Sequence, residues 1–206
     1  SILGNMFRYL ADQTKTQICC HLDHGYSIDE CKEGMDYGFT SVMFDGSNLP
    51  LNENIKISSK IAKLANKYNI SVEGEVGIVG YQNGKISYGT NIIEAEKYAK
   101  YSGVDAMAIS VGNTHLQTSK IAKIDYNKIL QIEKKTKIPL VIHGSSGIEY
   151  KLRRKIARNT KVAKFNIGTE LRMVAGNSLR ENVLKNKQLF DKIKLIKPTI
   201  RKIKKQ

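Results

Sequence analysis

The stretch ICCHLDHG, residues 18–25, runs from apolar, strand-forming residues into two imidazoles and a carboxylate. We predict a strand over residues 17–22 with His21, Asp23 and His24 at its C-terminal tip, and Gly25 lets the chain turn there. In α/β proteins, ligands bind at this end of the strands. The stretch alone is equally typical of a polar strand end with one satisfied histidine, so the rest of the chain has to decide.

Apolar runs of strand length alternate with helical patterns after this first strand. We predict further strands over residues 40–45, 71–77, 105–112, 139–144 and 161–168. Helical spacing predicts helices over residues 1–13, 27–37, 50–69, 91–102, 125–136 and 150–159, and from residue 169 onward, where Pro198 marks a break or a new helix start. The glycine-punctuated segment 77–90 is too polar for an element of its own and is expected to be a mobile loop.

This order of elements predicts a parallel sheet covered by helices. No dinucleotide-binding glycine motif follows the first strand and no P-loop occurs, so an α/β TIM (β/α)8 barrel is favoured over a doubly wound sheet. Only six of the eight strands are visible, and a typical barrel needs about 250 residues. We therefore expect residues 1–206 to form one incomplete barrel domain.

Composition restricts the class of protein. The chain contains no apolar run of transmembrane length, and its first residues lack the apolar core of a signal peptide. The three cysteines, of which Cys19 and Cys20 are adjacent, are expected to be reduced and buried in a cytoplasmic protein. The formal charge of +15 suits an anionic partner. The lysine-rich end lacks aromatic residues for base stacking, and we expect neither a nucleic-acid partner nor a membrane.

All the histidines fall at or just beyond predicted strand ends, namely His21, His24, His115 and His143. Packing alone does not explain why they share one rim. Three imidazoles on one face match a tetrahedral zinc site that keeps one position open for water or substrate. Glu75 ends its strand on the same rim and is a candidate fourth ligand or second metal position. Glu73 either orients a histidine from behind or belongs to a buried ion pair inside the barrel.

Two loops have the features of anion sites. Backbone N–H groups and hydroxyls directly follow His143, at Gly144, Ser145 and Ser146. The second segment opens a helix whose N-terminal N–H groups attract phosphate, and it comprises Asn166, Ile167, Gly168 and Thr169. The loops after the last two barrel strands are the usual phosphate site of this fold. Such turns are common individually, but next to a metal site they predict a phosphorylated substrate.

The segments HLDHG, SVMFDGSNLP, SVEGEVG, NTH, IHGSSG and FNIGTEL, in this order, resemble the class II, zinc-dependent ketose-bisphosphate aldolases, and within them the tagatose- and fructose-bisphosphate branch. The resemblance covers almost the whole chain. It implies that Asp23 is the catalytic acid/base, that His24, His115 and His143 hold Zn²⁺, and that Glu75 can hold a displaced metal. It further implies a dihydroxyacetone phosphate site, with a monovalent cation near the phosphate, at Gly144, Ser145, Ser146, Asn166, Ile167, Gly168 and Thr169.

The activity implied by the resemblance is reversible aldol cleavage of fructose or tagatose 1,6-bisphosphate to dihydroxyacetone phosphate and glyceraldehyde 3-phosphate. Zinc would act as a Lewis acid on the ketose carbonyl, and Asp23 would take the proton of the C4 hydroxyl. The resemblance also implies a glycolytic, cytoplasmic lyase that forms a homodimer or homotetramer. The sequence does not distinguish fructose from tagatose, because these sugars differ only at C4.

The chain departs from the family pattern in several places. The family begins with two further strands and a helix, Leu116 stands where glycine is usual, Asn48 stands where histidine is frequent, and segment 80–84 lacks an acidic pair. A truncated or degenerate homologue without activity, and a basic anion-binding scaffold, are therefore alternatives. Because strands 17–22 and 161–168 cannot pair with each other, we expect the isolated chain to aggregate, to borrow strands, or to be a fragment of a longer product.

Overall fold

A parallel sheet with helices along one side is the centre of the computed structural model, which describes residues 2–81, 84 and 87–205. The strands are β1 His21–Gly25, β2 Ser41–Phe44, β3 Ser71–Val76, β4 Gly80–Tyr81, β5 Ala106–Ile109, β6 Thr114–His115, β7 Leu140–Ile142 and β8 Val162–Phe165. Six of them form the main sheet in the order β1-β2-β3-β5-β7-β8, and β4 pairs with β6 beside it. Every strand pair in both sheets is parallel.

The helices are α1 Ile2–Asp12, α2 Ile28–Asp36, α3 Leu51–Tyr68, α4 Ile92–Tyr101, α5 Tyr126–Lys135, α6 Tyr150–Asn159, α7 Thr169–Lys185 and α8 Lys192–Lys204. Five of the described helices, α2 to α6, connect strands of the main sheet, as parallel pairing requires; α1 precedes the first strand, and α7 and α8 follow the last. Local sequence sets their ends: the Ser27 hydroxyl accepts a hydrogen bond from the Glu30 N–H at the start of α2. Gly38, with a φ of 84°, follows the end of the same helix. No helix in the described ranges is both long and apolar enough to span a bilayer.

The main sheet is strongly curved. Six strands lying flat would separate β1 from β8 by about 24 Å, at roughly 4.8 Å per neighbour. Instead, Nε2 of His21 on β1 lies 3.1 Å from Nζ of Lys164 on β8, and the Asn166 amide donates to Oδ1 of Asp23 at 3.1 Å. Side chains of the two edge strands thus meet, although their backbones do not pair within the described residues. The fold is an open, partial (β/α) barrel, which confirms the predicted fold class.

The two faces of the sheet differ in character. The face toward the helices carries the large apolar core, including Val42, Phe44 and Met107. The concave face carries a small apolar cluster of Met43, Ala108 and Val141, with Ala106 packed against it. Charged side chains of β3 and β8 complete the concave face, which we describe with the site below. The polar groups therefore lie inside the curve of the sheet, at the position of a barrel interior.

The six predicted sheet strands are present, but the first one is displaced. We predicted it over residues 17–22, whereas β1 is His21–Gly25. β1 pairs with β2, and His21 lies opposite Ser41, the first residue of β2. Residues before His21 therefore have no strand beside them in the described chain. Cys19 therefore precedes the sheet and is exposed, contrary to our expectation, while Cys20 and Cys31 are buried and all three are free thiols.

Two further expectations were wrong. The described part of segment 77–90 does form structure: β4 pairs with β6, and Ile78 and Tyr88 form an antiparallel bridge. Nonlocal backbone pairing there outweighs the polar local sequence. Pro198 neither breaks nor starts a helix but lies inside α8, and the chain turns earlier, between α7 and α8.

Candidate metal and anion-binding site

An irregularity in β1 directs His24 toward the site. The register between β1 and β2 shifts between Leu22 and Gly25, and His24 has a φ of 58°. Non-glycine residues rarely adopt this left-handed conformation, and such bulges re-aim side chains. As a result, Nε2 of His24 lies 3.0 Å from Nδ1 of His143, just beyond β7.

Short β6 holds the third imidazole, His115, beside the other two. The buried Asn113 amide donates to the carbonyl of His143 at 3.0 Å and so ties the approach to β6 to the end of β7. Gly144 has a φ of 60°, and a Cβ there would lie 2.3 Å from the Thr114 carbonyl oxygen. Only glycine allows β6 and the chain after His143 to pass this closely.

Two carboxylates behind the histidines are ionised despite their burial. Burial opposes ionisation of Asp45, but hydrogen bonds from His24 and Ser47 outweigh it and lower the pKa of Asp45 to about 2. Burial likewise opposes ionisation of Glu73, but hydrogen bonding from His143 and the nearby Lys164 ammonium lower the pKa of this carboxyl. Each carboxylate is therefore a permanent hydrogen-bond acceptor at neutral pH.

These acceptors fix the tautomers of two rings. Nδ1 of His24 lies 3.0 Å from Oδ2 of Asp45, and Nε2 of His143 lies 2.8 Å from Oε1 of Glu73. An ionised carboxylate only accepts, so each ring donates its N–H to its own carboxylate. The other nitrogens, Nε2 of His24 and Nδ1 of His143, then face each other as lone pairs at 3.0 Å. Two lone pairs at that distance repel each other unless a cation or a shared proton lies between them.

The three imidazoles fit a zinc ion. Burial, together with the neighbouring rings of His143 and His24, lowers the pKa of His115 to about 4, so this ring is neutral and offers a lone pair. One nitrogen from each ring lies within 4.8 Å of the others. Zinc–nitrogen bonds are about 2.0–2.1 Å long, so small ring movements would bring all three into contact with one ion.

A second group of donors lies directly behind the first. His24, Asp45 and Glu75 also place their donor atoms within 4.8 Å of one another. Burial, reinforced by the Asp45 charge, raises the pKa of Glu75 to about 8, and Oε2 of Glu75 is buried without a hydrogen-bond partner in the described chain. An unpaired buried carboxylate oxygen next to histidines is a suitable ligand for a metal ion.

A pocket of about 370 Å³ opens beside the histidines. It is lined by His21, Asp23, His115, Leu116, Gly144, Ser146, Lys164, Asn166, Ile167, Gly168, Thr169 and Arg172. Its far wall is the N-terminus of α7, whose free N–H groups favour anions. The Ser146 hydroxyl accepts from the Glu170 N–H at 3.1 Å, which leaves its own hydrogen available to a ligand.

The structure brings most of the residues predicted for the site together. Asp23 and Asn166 are hydrogen-bonded at the pocket wall. Ser145 is the exception: it is fully buried and its hydroxyl donates to the Ile142 carbonyl at 2.7 Å. Both roles considered for Glu73 occur at once, because it accepts from His143 and also pairs with Lys164 at 2.5 Å.

Sequence reasoning assigned no role to Asp45, Lys164 or Arg172. Asp45 directly follows β2, as His143 directly follows β7, so its position was a usable signal. Lys164 and Arg172 are hidden among 34 basic residues of the chain. Our prediction about the acidic pair in segment 80–84 depends on Gln82 and Asn83, which lie outside the described residues.

Comparison with known proteins gives a consistent result. The family model described as fructose-bisphosphate aldolase class-II matches residues 1–206. The chain is 38% identical over 179 residues to a 6-phospho-5-dehydro-2-deoxy-D-gluconate aldolase of Shouchella clausii, covering 84% of this chain and 60% of the relative. It is 36% identical over 187 residues to a fructose-bisphosphate aldolase of Geobacillus stearothermophilus, covering 88% and 64%. The chain thus spans less than two thirds of the length of these relatives.

Solved structures agree on the fold. The YdjI aldolase from Escherichia coli K12 superposes with a TM-score of 0.81 at 25% identity, over 99% of this chain and 71% of that one. The fructose-bisphosphate aldolase from Campylobacter jejuni superposes with a TM-score of 0.74 at 21% identity, over 99% and 70%.

Proposed function

The chain belongs to the class II fructose-bisphosphate aldolase family, and from this premise we propose that it carries the metal and phosphate site of a zinc-dependent aldolase. The observation that supports this most directly is the convergence of His24, His115 and His143 beside the pocket at the α7 N-terminus. The reaction is the reversible cleavage of a ketose 1,6-bisphosphate to dihydroxyacetone phosphate and glyceraldehyde 3-phosphate.

Bound zinc would supply Lewis-acid polarisation of the substrate carbonyl. Asp23, exposed on the pocket wall, accepts the C4 hydroxyl proton on cleavage and returns it on condensation. The Asn166 amide, 3.1 Å from Oδ1 of Asp23, holds this carboxylate in place. Glu73 orients His143, and Glu75 can hold a displaced ion.

The pocket binds the phosphate of the three-carbon fragment. Of the residues carried over from the family, Gly144, Ser146, Asn166, Ile167, Gly168 and Thr169 line it, and a monovalent cation near the phosphate is part of the proposal. Ser145 supports the loop rather than the ligand. We further propose that the protein is cytoplasmic, since its free thiols suit a reducing compartment. The resemblance to the family also leads us to propose a homodimer or homotetramer.

The candidate substrates fall into two classes, the ketose bisphosphates and a phosphorylated gluconate. Fructose 1,6-bisphosphate, or its C4 epimer tagatose 1,6-bisphosphate, follows from the family and the second relative. A 6-phospho-5-dehydro-2-deoxy-D-gluconate represents the second class, because a relative of that name is 38% identical. Assays with all three substrates on one zinc-loaded preparation would rank them by kcat/KM.

Two variants separate the acid from the metal ligands. Asp23→Ala is expected to keep stoichiometric zinc but to lose about 10²–10⁴-fold in turnover, the usual contribution of a general acid/base. His143→Ala is expected to lose zinc and turnover together. Zinc content by atomic absorption and cleavage rate measured on the same samples check both.

The outcomes also test the alternatives. Loss of zinc in Asp23→Ala would show that an acid has been confused with a ligand. A wild-type chain that binds zinc but cleaves none of the three substrates would favour an inactive homologue. A chain that binds no zinc, and whose lysines bind anionic polymers, would favour a basic scaffold.

A further inference from the structure

Arg172 occupies an electrostatically unfavourable position. It lies in the first turn of α7, and its Nη2 donates to the Thr169 hydroxyl at 3.1 Å, so the side chain folds back toward the helix N-terminus. A Cβ on Gly168 would be 3.6 Å from Nη2, which places the guanidinium directly above this glycine. The N-terminus of a helix carries partial positive charge and repels a cation. A basic group held there is stabilised when an anion lies between it and the free N–H groups.

The acid of the same helix turn is bound by two other cations. The Glu170 carboxylate lies 2.8 Å from Arg153 and 2.6 Å from Lys120, and residues two positions apart on an α-helix point in roughly opposite directions. Among the residues that the structure describes, the Arg172 guanidinium contacts a hydroxyl and no carboxylate. Its charge is therefore available to a ligand.

The pocket shows where such a ligand would lie. Arg172, Gly168, Thr169, Ser146 and His115 all line it, and the Ser146 hydroxyl, which accepts from the Glu170 N–H, keeps its own hydrogen for a ligand. A small phosphorylated ketone bound here would set its phosphate against Arg172 and its carbonyl toward His115. Guanidinium groups bind phosphate through two parallel hydrogen bonds.

We propose that Arg172 is a specificity-determining residue that closes the phosphate subsite and makes the pocket select phosphorylated over unphosphorylated ketones. This inference rests on the proposed function for the identity of the ligand. The role of Arg172 as a phosphate contact depends only on the pocket and on the helix terminus.

The chain contains a matched control. Arg180, two turns further along α7, also lies over a glycine, Gly176, and also donates to the side chain three residues earlier, Asn177, at 3.0 Å. Both arginines are exposed. Arg172→Gln and Arg180→Gln therefore make the same local change, one at the pocket and one away from it.

The experiment is titration calorimetry of the zinc-loaded chain with dihydroxyacetone phosphate, dihydroxyacetone and inorganic phosphate. Arg172→Gln is expected to raise the Kd for dihydroxyacetone phosphate and for phosphate about tenfold, which corresponds to about 1.4 kcal/mol. The Kd for dihydroxyacetone is expected to stay unchanged, as are all values for Arg180→Gln. Arg172→Lys should recover part of the loss, because it keeps the charge but not the paired donors.

The results distinguish this inference from the proposed function. An unchanged Kd for dihydroxyacetone phosphate in Arg172→Gln, or an equal loss for dihydroxyacetone, would overturn the inference even in an active aldolase. A selective loss in a chain with no cleavage activity would support the inference and count against the proposed function. Failure of the wild-type chain to bind either phosphate ligand would overturn both.

Discussion

Backbone strain is concentrated in residues of the candidate site. Among the described non-glycine residues, His24, Asn69 and Leu116 have positive φ, and only Asn69 ends a helix, where this conformation is common. His24 and Leu116 have φ values of 58° and 60°. Left-handed conformations cost about 1–2 kcal/mol in residues with a Cβ. Strain of this kind occurs at functional sites, where the surrounding structure enforces it.

The strain at Leu116 predicts a difference between two small substitutions. Leu116→Gly removes the steric cost at this φ, whereas Leu116→Ala keeps it, and both remove a side chain that is half exposed. We expect the glycine variant to have a higher free energy of unfolding than the alanine variant, by about 1 kcal/mol. Urea denaturation of both variants measures this. Equal midpoints and slopes would show that the backbone at Leu116 relaxes without cost.

Glu75 predicts a pH dependence of stability in the zinc-free protein. Burial raises the pKa of Glu75 to about 8 in the folded chain, against an ordinary value of 4.5. Between these two pH values the folded state binds more protons than the unfolded state, so the stability contributed by Glu75 is complete below pH 4.5 and is lost as pH rises to about 8. Each pKa unit corresponds to about 1.4 kcal/mol.

Glu75→Gln isolates this contribution. In chelator-treated protein, the wild type should lose stability relative to Glu75→Gln as pH rises from 5 to 8, by a few kcal/mol at most. Thermal unfolding of both proteins across this range measures the difference, in which the other titrating groups cancel. A constant difference would mean that Glu75 titrates near its ordinary pKa.

The residues of the site were only partly accessible from the sequence. The grouping of His24, His115 and His143 could be predicted because the C-terminal ends of parallel strands share one rim. The role of Lys164 depends on the curvature of the sheet, and that of Arg172 depends on its place at the start of α7. Neither feature distinguishes these two residues from the many other basic residues of the sequence.

At the scale of elements, local patterns located the helices and failed where pairing is nonlocal. The predicted helix 27–37 is α2 Ile28–Asp36, whose start is capped by Ser27 and whose end is followed by Gly38. The start of β1, by contrast, is set by its partner Ser41, and β4 and β6 are two-residue strands that exist only through each other. The preference of proline to end or to start a helix is also overridden at Pro198, since α8 continues through this residue.

Pro198 destabilises α8, and replacing it should stabilise this helix. Proline lacks an N–H, so it cannot donate to the Lys194 carbonyl, and a proline in a helix interior costs about 3 kcal/mol. Pro198→Ala should raise the protection of α8 amides against hydrogen exchange about tenfold or more. Lys197→Ala, at the neighbouring exposed position, is the control and should change protection little. Similar protection in the two variants would show that α7 packing alone sets the stability of α8.

At the scale of the whole molecule, one polar cluster connects strands that are distant in the sheet. Lys164 on β8 lies 2.5 Å from Oε2 of Glu73 on β3 and 3.1 Å from Nε2 of His21 on β1. Both edge strands are thus held to the middle of the concave face. Because Oε1 of Glu73 binds His143, the same carboxylate links the curvature of the sheet to the orientation of a proposed metal ligand.

This arrangement predicts that Lys164 and Glu73 are energetically coupled. Lys164→Met leaves a buried carboxylate without its ammonium and should lower the free energy of unfolding by about 2–3 kcal/mol, below the full cost of breaking a buried pair because Lys164 is partly exposed. The double variant Lys164→Met/Glu73→Gln removes the unpaired charge and should recover at least half of that loss. Lys202→Met, which breaks the exposed pair with Glu181 at 2.7 Å, is the control and should leave the free energy of unfolding almost unchanged, because exposed pairs are screened by solvent. Additive losses in the double variant would mean that the curvature of the sheet is maintained by its apolar face and the helices rather than by this ion pair.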